Sequence, residues 1–74
     1  MKFGIKLQTE RKRKKITAQK LAEECGVSRS YITLIENGKR MPGQKVILKL
    51  AKSLKIKNHQ IVNWYLEDIR EKLE

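Results

Sequence analysis

The chain has 74 residues, 18 of them lysine or arginine against 8 aspartate or glutamate, a formal net charge of +10. A chain this short has room for one core only, so residues 1–74 are expected to form a single domain, and so basic a balance expects a polyanionic partner. One cysteine and one histidine exclude an internal disulfide and any cysteine-rich zinc site, and no apolar run is long enough for a bilayer span or a secretory leader.

Residues 2 to about 14 read as a first helix, with Phe3, Leu7 and Arg11 on one stripe at spacings of four, shared by Glu10 and Lys14. The run Arg11 to Lys15 reads equally well as a nucleic-acid tract or as the solvated end of a helix, where cations meet the C-terminal dipole. Thr17 is a good N-cap for a second helix, Ala18 to Cys25, with Leu21 and Ala22 inward. Gly26 suits the left-handed turn that ends it. Ser28 can cap a third helix running to about Glu36. Two short helices joined by a tight glycine turn make a helix-turn-helix over about 17–37.

That third helix has two faces. Stepping about 100° per residue, Ile32, Ile35 and Glu36 fall on one side, and Arg29, Ser30, Thr33 and Leu34 on the other. The second side offers a cation, two hydroxyls and an alkyl group, the group types that read base edges in the DNA major groove. Asn37-Gly38 and Pro42-Gly43 then delimit a loop carrying Lys39 and Arg40.

A fourth helix is expected over 44–54, with Ile47, Leu50, Ala51 and Leu54 inward and Lys45, Lys49 and Lys52 on a solvated face. Ile56 packs the corner, and Asn58 is expected to cap a last helix over 59–73. It carries Ile61, Val62, Tyr65, Leu66, Ile69 and Leu73 on a broad arc, with Trp64 to one side. This helix either folds back on the core or forms a dimer seam, and the surplus of apolar surface favours the seam. Acids return as Glu67, Asp68, Glu71 and Glu74, so this end is not expected to face phosphate. The fold class is therefore all-α, with five helices. An enzyme is not expected: Cys25 has no histidine near it in sequence and fills core space, His59 is a surface residue, and no cofactor or metal is implied.

Taken in order, Gly4, Leu7, Arg11, Ile16-Thr17, Leu21-Ala22, Gly26-Val27-Ser28, Ile32-Thr33, Ile35-Glu36-Asn37-Gly38 and Pro42 resemble the Cro and phage-repressor (XRE) type of helix-turn-helix over residues 3 to about 62. The resemblance implies an ion pair between Arg11 and Glu36 that ties the first helix to the recognition helix. It implies base reading by Arg29, Ser30, Thr33 and Leu34, and phosphate contacts from Thr17, Gln19, Ser28, Tyr31, Asn37, Lys39 and Arg40. Two residues depart from the pattern: Ala18 stands where the family usually has glutamine, with Gln19 beside it, and Glu10 stands where leucine is usual.

The implied function is a small cytoplasmic transcriptional regulator, without an effector domain, binding an inverted repeat of double-stranded DNA. It would act as a homodimer joined through Trp64, Tyr65, Leu66, Ile69 and Leu73, with half-sites about 34–36 Å apart. The alternative is a protein-interaction module, such as an antitoxin, that uses Trp64 and Tyr65 as an exposed anchor and binds DNA secondarily.

Overall fold

The computed structural model describes residues 2–73, which form five helices and, among the described residues, no strand: α1 Lys2–Arg13, α2 Ala18–Cys25, α3 Arg29–Glu36, α4 Gln44–Leu54 and α5 Asn58–Leu73. Of the acids expected at the C-terminal end, Glu74 lies outside the described residues. Helix α1 stops one residue short of the expected end. Helix α5 starts one residue early, because the Lys57 carbonyl already accepts from the amides of Gln60 and Ile61. The cap expected at Asn58 therefore falls one position upstream.

Side-chain caps set two helix starts. The hydroxyl of Thr17 accepts from the amide of Lys20 at 3.0 Å, and that of Ser28 from Tyr31 at 3.1 Å. Helix ends share a second device. Residues 15, 26, 38 and 55 all take a left-handed backbone, with φ of 58°, 69°, 75° and 57°. At each, the next amide reaches back to a carbonyl five residues earlier: Ile16 to Arg11, Val27 to Ala22, Lys39 to Leu34 and Ile56 to Ala51. These are Schellman closures, in which the amides beyond the helix satisfy its orphan carbonyls. Ile16, Val27 and Ile56 each tuck an apolar side chain against the core at the same step.

Gly26 and Gly38 adopt this backbone freely, whereas Lys15 and Lys55 do so against the Cβ penalty of about 1 kcal/mol. Lys15→Gly and Lys55→Gly should each stabilise the fold by roughly 0.5–1 kcal/mol, raising the midpoint of a circular-dichroism melt by a few degrees. An unchanged or lowered midpoint would show that the lysine side chains contribute more than their backbone strain costs.

Packing runs around a closed circuit: α1 lies on α3 and α5, α2 on α3 and α4, and α4 on α5. The core comprises Phe3 and Leu7 of α1, Leu21, Ala22 and Cys25 of α2, Ile32 and Ile35 of α3, Ile47, Leu50, Ala51 and Leu54 of α4, and Ile61 and Trp64 of α5. The radius of gyration, 11.2 Å, is what a folded chain of this length should have, about 11 Å. Lys14 donates its ammonium to the carbonyl of Leu54, so a cation from the end of α1 closes the C-terminus of α4.

The orientation of α5 differs from expectation. Ile61, Trp64 and Asp68 point inward, with Trp64 only 8% exposed. Tyr65 is half-buried and meets Phe3 edge to face, ring centroids 5.9 Å apart. Trp64 is therefore a core residue capped by Lys6, whose ammonium sits 5.9 Å from its ring, and neither a dimer-seam residue nor an exposed anchor. Val62, Leu66 and Leu73 are the residues left outside.

Candidate nucleic-acid interface

Helix α3 is fixed at both ends and along one side. Ser28 caps its start, Ile32 and Ile35 are buried beneath it, and Glu36 at its last position is 8% exposed. The Arg11 guanidinium grips that carboxylate with a fork: Nε donates to Oε2 at 2.7 Å and Nη2 to Oε1 at 3.1 Å. The remaining nitrogen, Nη1, donates to the carbonyl of Ile16 at 2.9 Å, and the amide of Gln8 donates to Glu36 Oε1 at 3.4 Å. Hydrogen bonding and proximity to Glu36 raise the pKa of Arg11 above its ordinary value, against the opposing effect of burial, so it stays charged at any accessible pH. One side chain thus ties α1, the α1–α2 turn and the end of α3 together.

The opposite side of α3 is free. Arg29, Ser30 and Thr33 are exposed, Leu34 is partly so, and the four line one shallow depression in the surface. Thr33 donates its hydroxyl proton to the carbonyl of Arg29 at 3.1 Å and keeps lone pairs to accept from outside. The N-cap hydroxyls of Thr17 and Ser28 are the reverse case. Each accepts from a backbone amide, is exposed, and keeps its proton to donate outward, as contact with an anionic oxygen requires.

Asn37, Lys39 and Arg40 are exposed at the C-terminal side of α3, and Tyr31 is half-buried with its ring beneath Arg40. Gln19 is exposed but donates to Glu23 at 3.2 Å along its own helix, so in this arrangement it does not take the place of the glutamine missing at Ala18.

The sequence that follows α3 is one-sided in charge. Between Asn37 and Leu66 there is no acidic residue, while Lys39, Arg40, Lys45, Lys49, Lys52, Lys55 and Lys57 fall within that span. The only carboxylate on α3 is neutralised by Arg11. The basic run of α1 contributes less than its composition suggests: Arg11 is committed to Glu36, Lys14 to Leu54, and Arg13 pairs with Glu10 at 3.0 Å. That pairing also gives Glu10 its cation at a position where the resemblance expects leucine.

Cys25 is buried beside Ser53, Sγ to Oγ 3.9 Å, and burial pushes its thiol pKa up, which opposes formation of a nucleophilic thiolate. Among the described residues no group of histidine, cysteine or carboxylate side chains is arranged to hold a metal, and no helix is long and apolar enough to cross a membrane.

On the α4–α5 side, Gln44, Ile47, Leu48, Val62 and Tyr65 line a shallow, mostly apolar groove. Leu48, Val62 and Leu66 beside it are 44%, 37% and 49% exposed.

Comparison with known proteins places this geometry. The sequence model of the helix-turn-helix family matches residues 7–57. The HTH-type transcriptional repressor RghR of Bacillus subtilis is 40% identical over 72 residues, which cover 93% of this chain and 53% of RghR. The chain thus spans about half the length of the curated relatives it matches. The restriction-modification controller protein C.AhdI from Aeromonas hydrophila superposes with a TM-score of 0.77 at 37% identity, over 81% of this chain and 91% of that one. SinR, the master regulator for biofilm formation, solved in complex with DNA, gives 0.74 at 28% identity over 81% of this chain and 97% of its own; its N-terminal DNA-binding domain is from Bacillus subtilis.

Proposed function

We propose that this chain, which belongs to the helix-turn-helix family, is a sequence-specific DNA-binding transcriptional regulator that reads a duplex through the exposed face of α3. The observation that carries the reading is the separation of the two faces of that helix. Ile32, Ile35 and the Arg11–Glu36 pair hold one face, while Arg29, Ser30, Thr33 and Leu34 stand together on the other. The named likenesses to a repressor, a restriction-modification controller and a regulator bound to DNA support the same reading.

In this proposal Arg29 makes a bidentate contact to guanine, Thr33 and Ser30 reach neighbouring base edges, and Leu34 packs on a thymine methyl. Thr17, Ser28, Asn37, Lys39 and Arg40 surround that face and hold phosphates, which set register and give salt-dependent affinity without reading sequence. Selection of bound sites from random duplexes tests it by returning a short motif. Arg29→Ala should then lose about tenfold or more in preference for that motif per half-site, while binding to random DNA changes little. Equal losses on both DNAs would remove Arg29 from base reading.

The regulator acts as a homodimer on an inverted repeat, and the outward stripe of α5 supports this. Val62, Leu66, Ile69 and Leu73 follow one another at intervals of four, three and four residues, the spacing of a helix–helix seam. Val62 lines the α4–α5 groove with Leu48 and Tyr65, and Leu66 and Leu73 are exposed farther along the helix. Leu66→Glu should convert a sedimenting dimer to a monomer and weaken binding to the full site far more than to a half-site. A variant that still sediments as a dimer would move the seam elsewhere.

A further inference from the structure

One side-chain contact between α3 and the loop beyond it is aromatic. The Arg40 guanidinium carbon lies 5.1 Å from the centroid of the Tyr31 ring, within the roughly 6 Å over which a cation is drawn to an aromatic face. Among the described residues no carboxylate pairs with Arg40, so the ring is what holds it.

The ring itself is well anchored. Tyr31 stands in the first turn of α3, where its amide bonds both the hydroxyl and the carbonyl of Ser28 at 3.1 Å, and its side chain packs against the core. The loop is turned to meet it: Gly38 has φ of 75°, and the Lys39 amide closes back on the Leu34 carbonyl at 2.9 Å. Arg40, exposed and otherwise free to sample many rotamers, is thereby laid against the N-terminal half of the helix that carries Arg29, Ser30 and Thr33.

We propose that Tyr31 is a positioning residue, whose ring face presents the Arg40 guanidinium as a preorganised fork to a DNA phosphate beside the half-site. The proposal rests on the DNA-binding reading above. A planar fork already fixed in orientation loses less freedom when it forms a bidentate contact. In this arrangement the phenol hydroxyl is dispensable and the aromatic face is not, so Tyr31 acts through Arg40 and not as a phosphate ligand itself.

The test compares Tyr31→Phe and Tyr31→Leu, each with Arg40 intact and with Arg40→Ala, on the duplex recovered by site selection. Tyr31→Leu should weaken binding about two- to fivefold per protomer, hence roughly four- to twenty-five-fold for a dimer on two half-sites. Tyr31→Phe should bind like the unaltered protein, and Tyr31→Leu should cost nothing further once Arg40 is alanine.

A second measurement needs no DNA: in proton NMR of the free protein the Arg40 δ-protons should be ring-current shifted, in the unaltered and Tyr31→Phe chains but not in Tyr31→Leu. A phenylalanine variant as weak as the leucine one would assign the effect to the hydroxyl and overturn the proposal. So would a leucine variant equally harmful without Arg40, or an unshifted Arg40 in the free unaltered protein. Failure of the unaltered protein to select any site would instead overturn the DNA-binding reading, and this proposal with it.

Discussion

Glu36→Ala should cost about 3–5 kcal/mol of folding stability, because it strands a guanidinium in a place built to neutralise it. The carboxylate is 5% exposed and its partner 12%, so the pair is largely shielded from solvent. No buried side-chain nitrogen or oxygen among the described residues lacks a partner. Removing the carboxylate leaves Arg11 Nε and Nη2 and the Gln8 amide without the acceptors they now share.

For a chain of 74 residues total stability is expected near 4–11 kcal/mol. The loss is therefore a large share of the whole, and should appear in a thermal melt as a drop of about 15 °C or more. A loss below about 1 kcal/mol would place the pair with ordinary surface ion pairs. The double replacement Arg11→Met with Glu36→Leu should be less harmful than either charge deletion alone, since it strands no charge.

The same pair shows what could be read from residue types alone. Helix boundaries were legible because the chain marks them with Thr17, Ser28, Gly26 and Gly38, whose local chemistry does the same job in any context. Lys15 and Lys55 perform the glycine task without the glycine signal. The residue that betrays them is the apolar one that follows, Ile16 or Ile56, matching Val27 after Gly26.

The faces of α3 were legible because Ile32, Ile35 and Glu36 fall together on one side of the wheel and Arg29, Ser30, Thr33 and Leu34 on the other. Those of α5 were not. Its apolar residues cover a broad arc, so their average direction lies roughly 100° from the face that packs, stepping about 100° per residue. The packed face is set by Ile61, Trp64 and a buried acid, Asp68, which no hydrophobic average would turn inward. The basic run of α1 was ambiguous for another reason: composition cannot tell a free cation from one already bonded, and Arg11, Arg13 and Lys14 are bonded.

Gly4→Ala should destabilise the chain by about 3 kcal/mol, the upper end for adding one methyl group to a packed site. A Cβ built on Gly4 would stand 2.4 Å from the carbonyl oxygen of Ile35 and 2.7 Å from that of Glu36. Both are backbone atoms at the end of the recognition helix, so no rotamer change relieves the contact; α1 or α3 must move. Gly4, Gln8 and Arg11 lie within about 60° of one another on the α1 wheel, and the latter two are the side chains that reach Glu36.

The absent side chain at position 4 therefore sets the helix separation at which the fork two turns later can close. Displacing α1 by the width of a methyl group should lengthen those bonds, so the two predicted losses must overlap. Adding Glu36→Ala to Gly4→Ala should cost clearly less than Glu36→Ala costs in the unaltered chain, by more than the roughly 0.5 kcal/mol within which independent sites add. Full additivity in paired denaturation curves would mean that the close approach at Gly4 and the Arg11–Glu36 clamp hold α3 independently of each other.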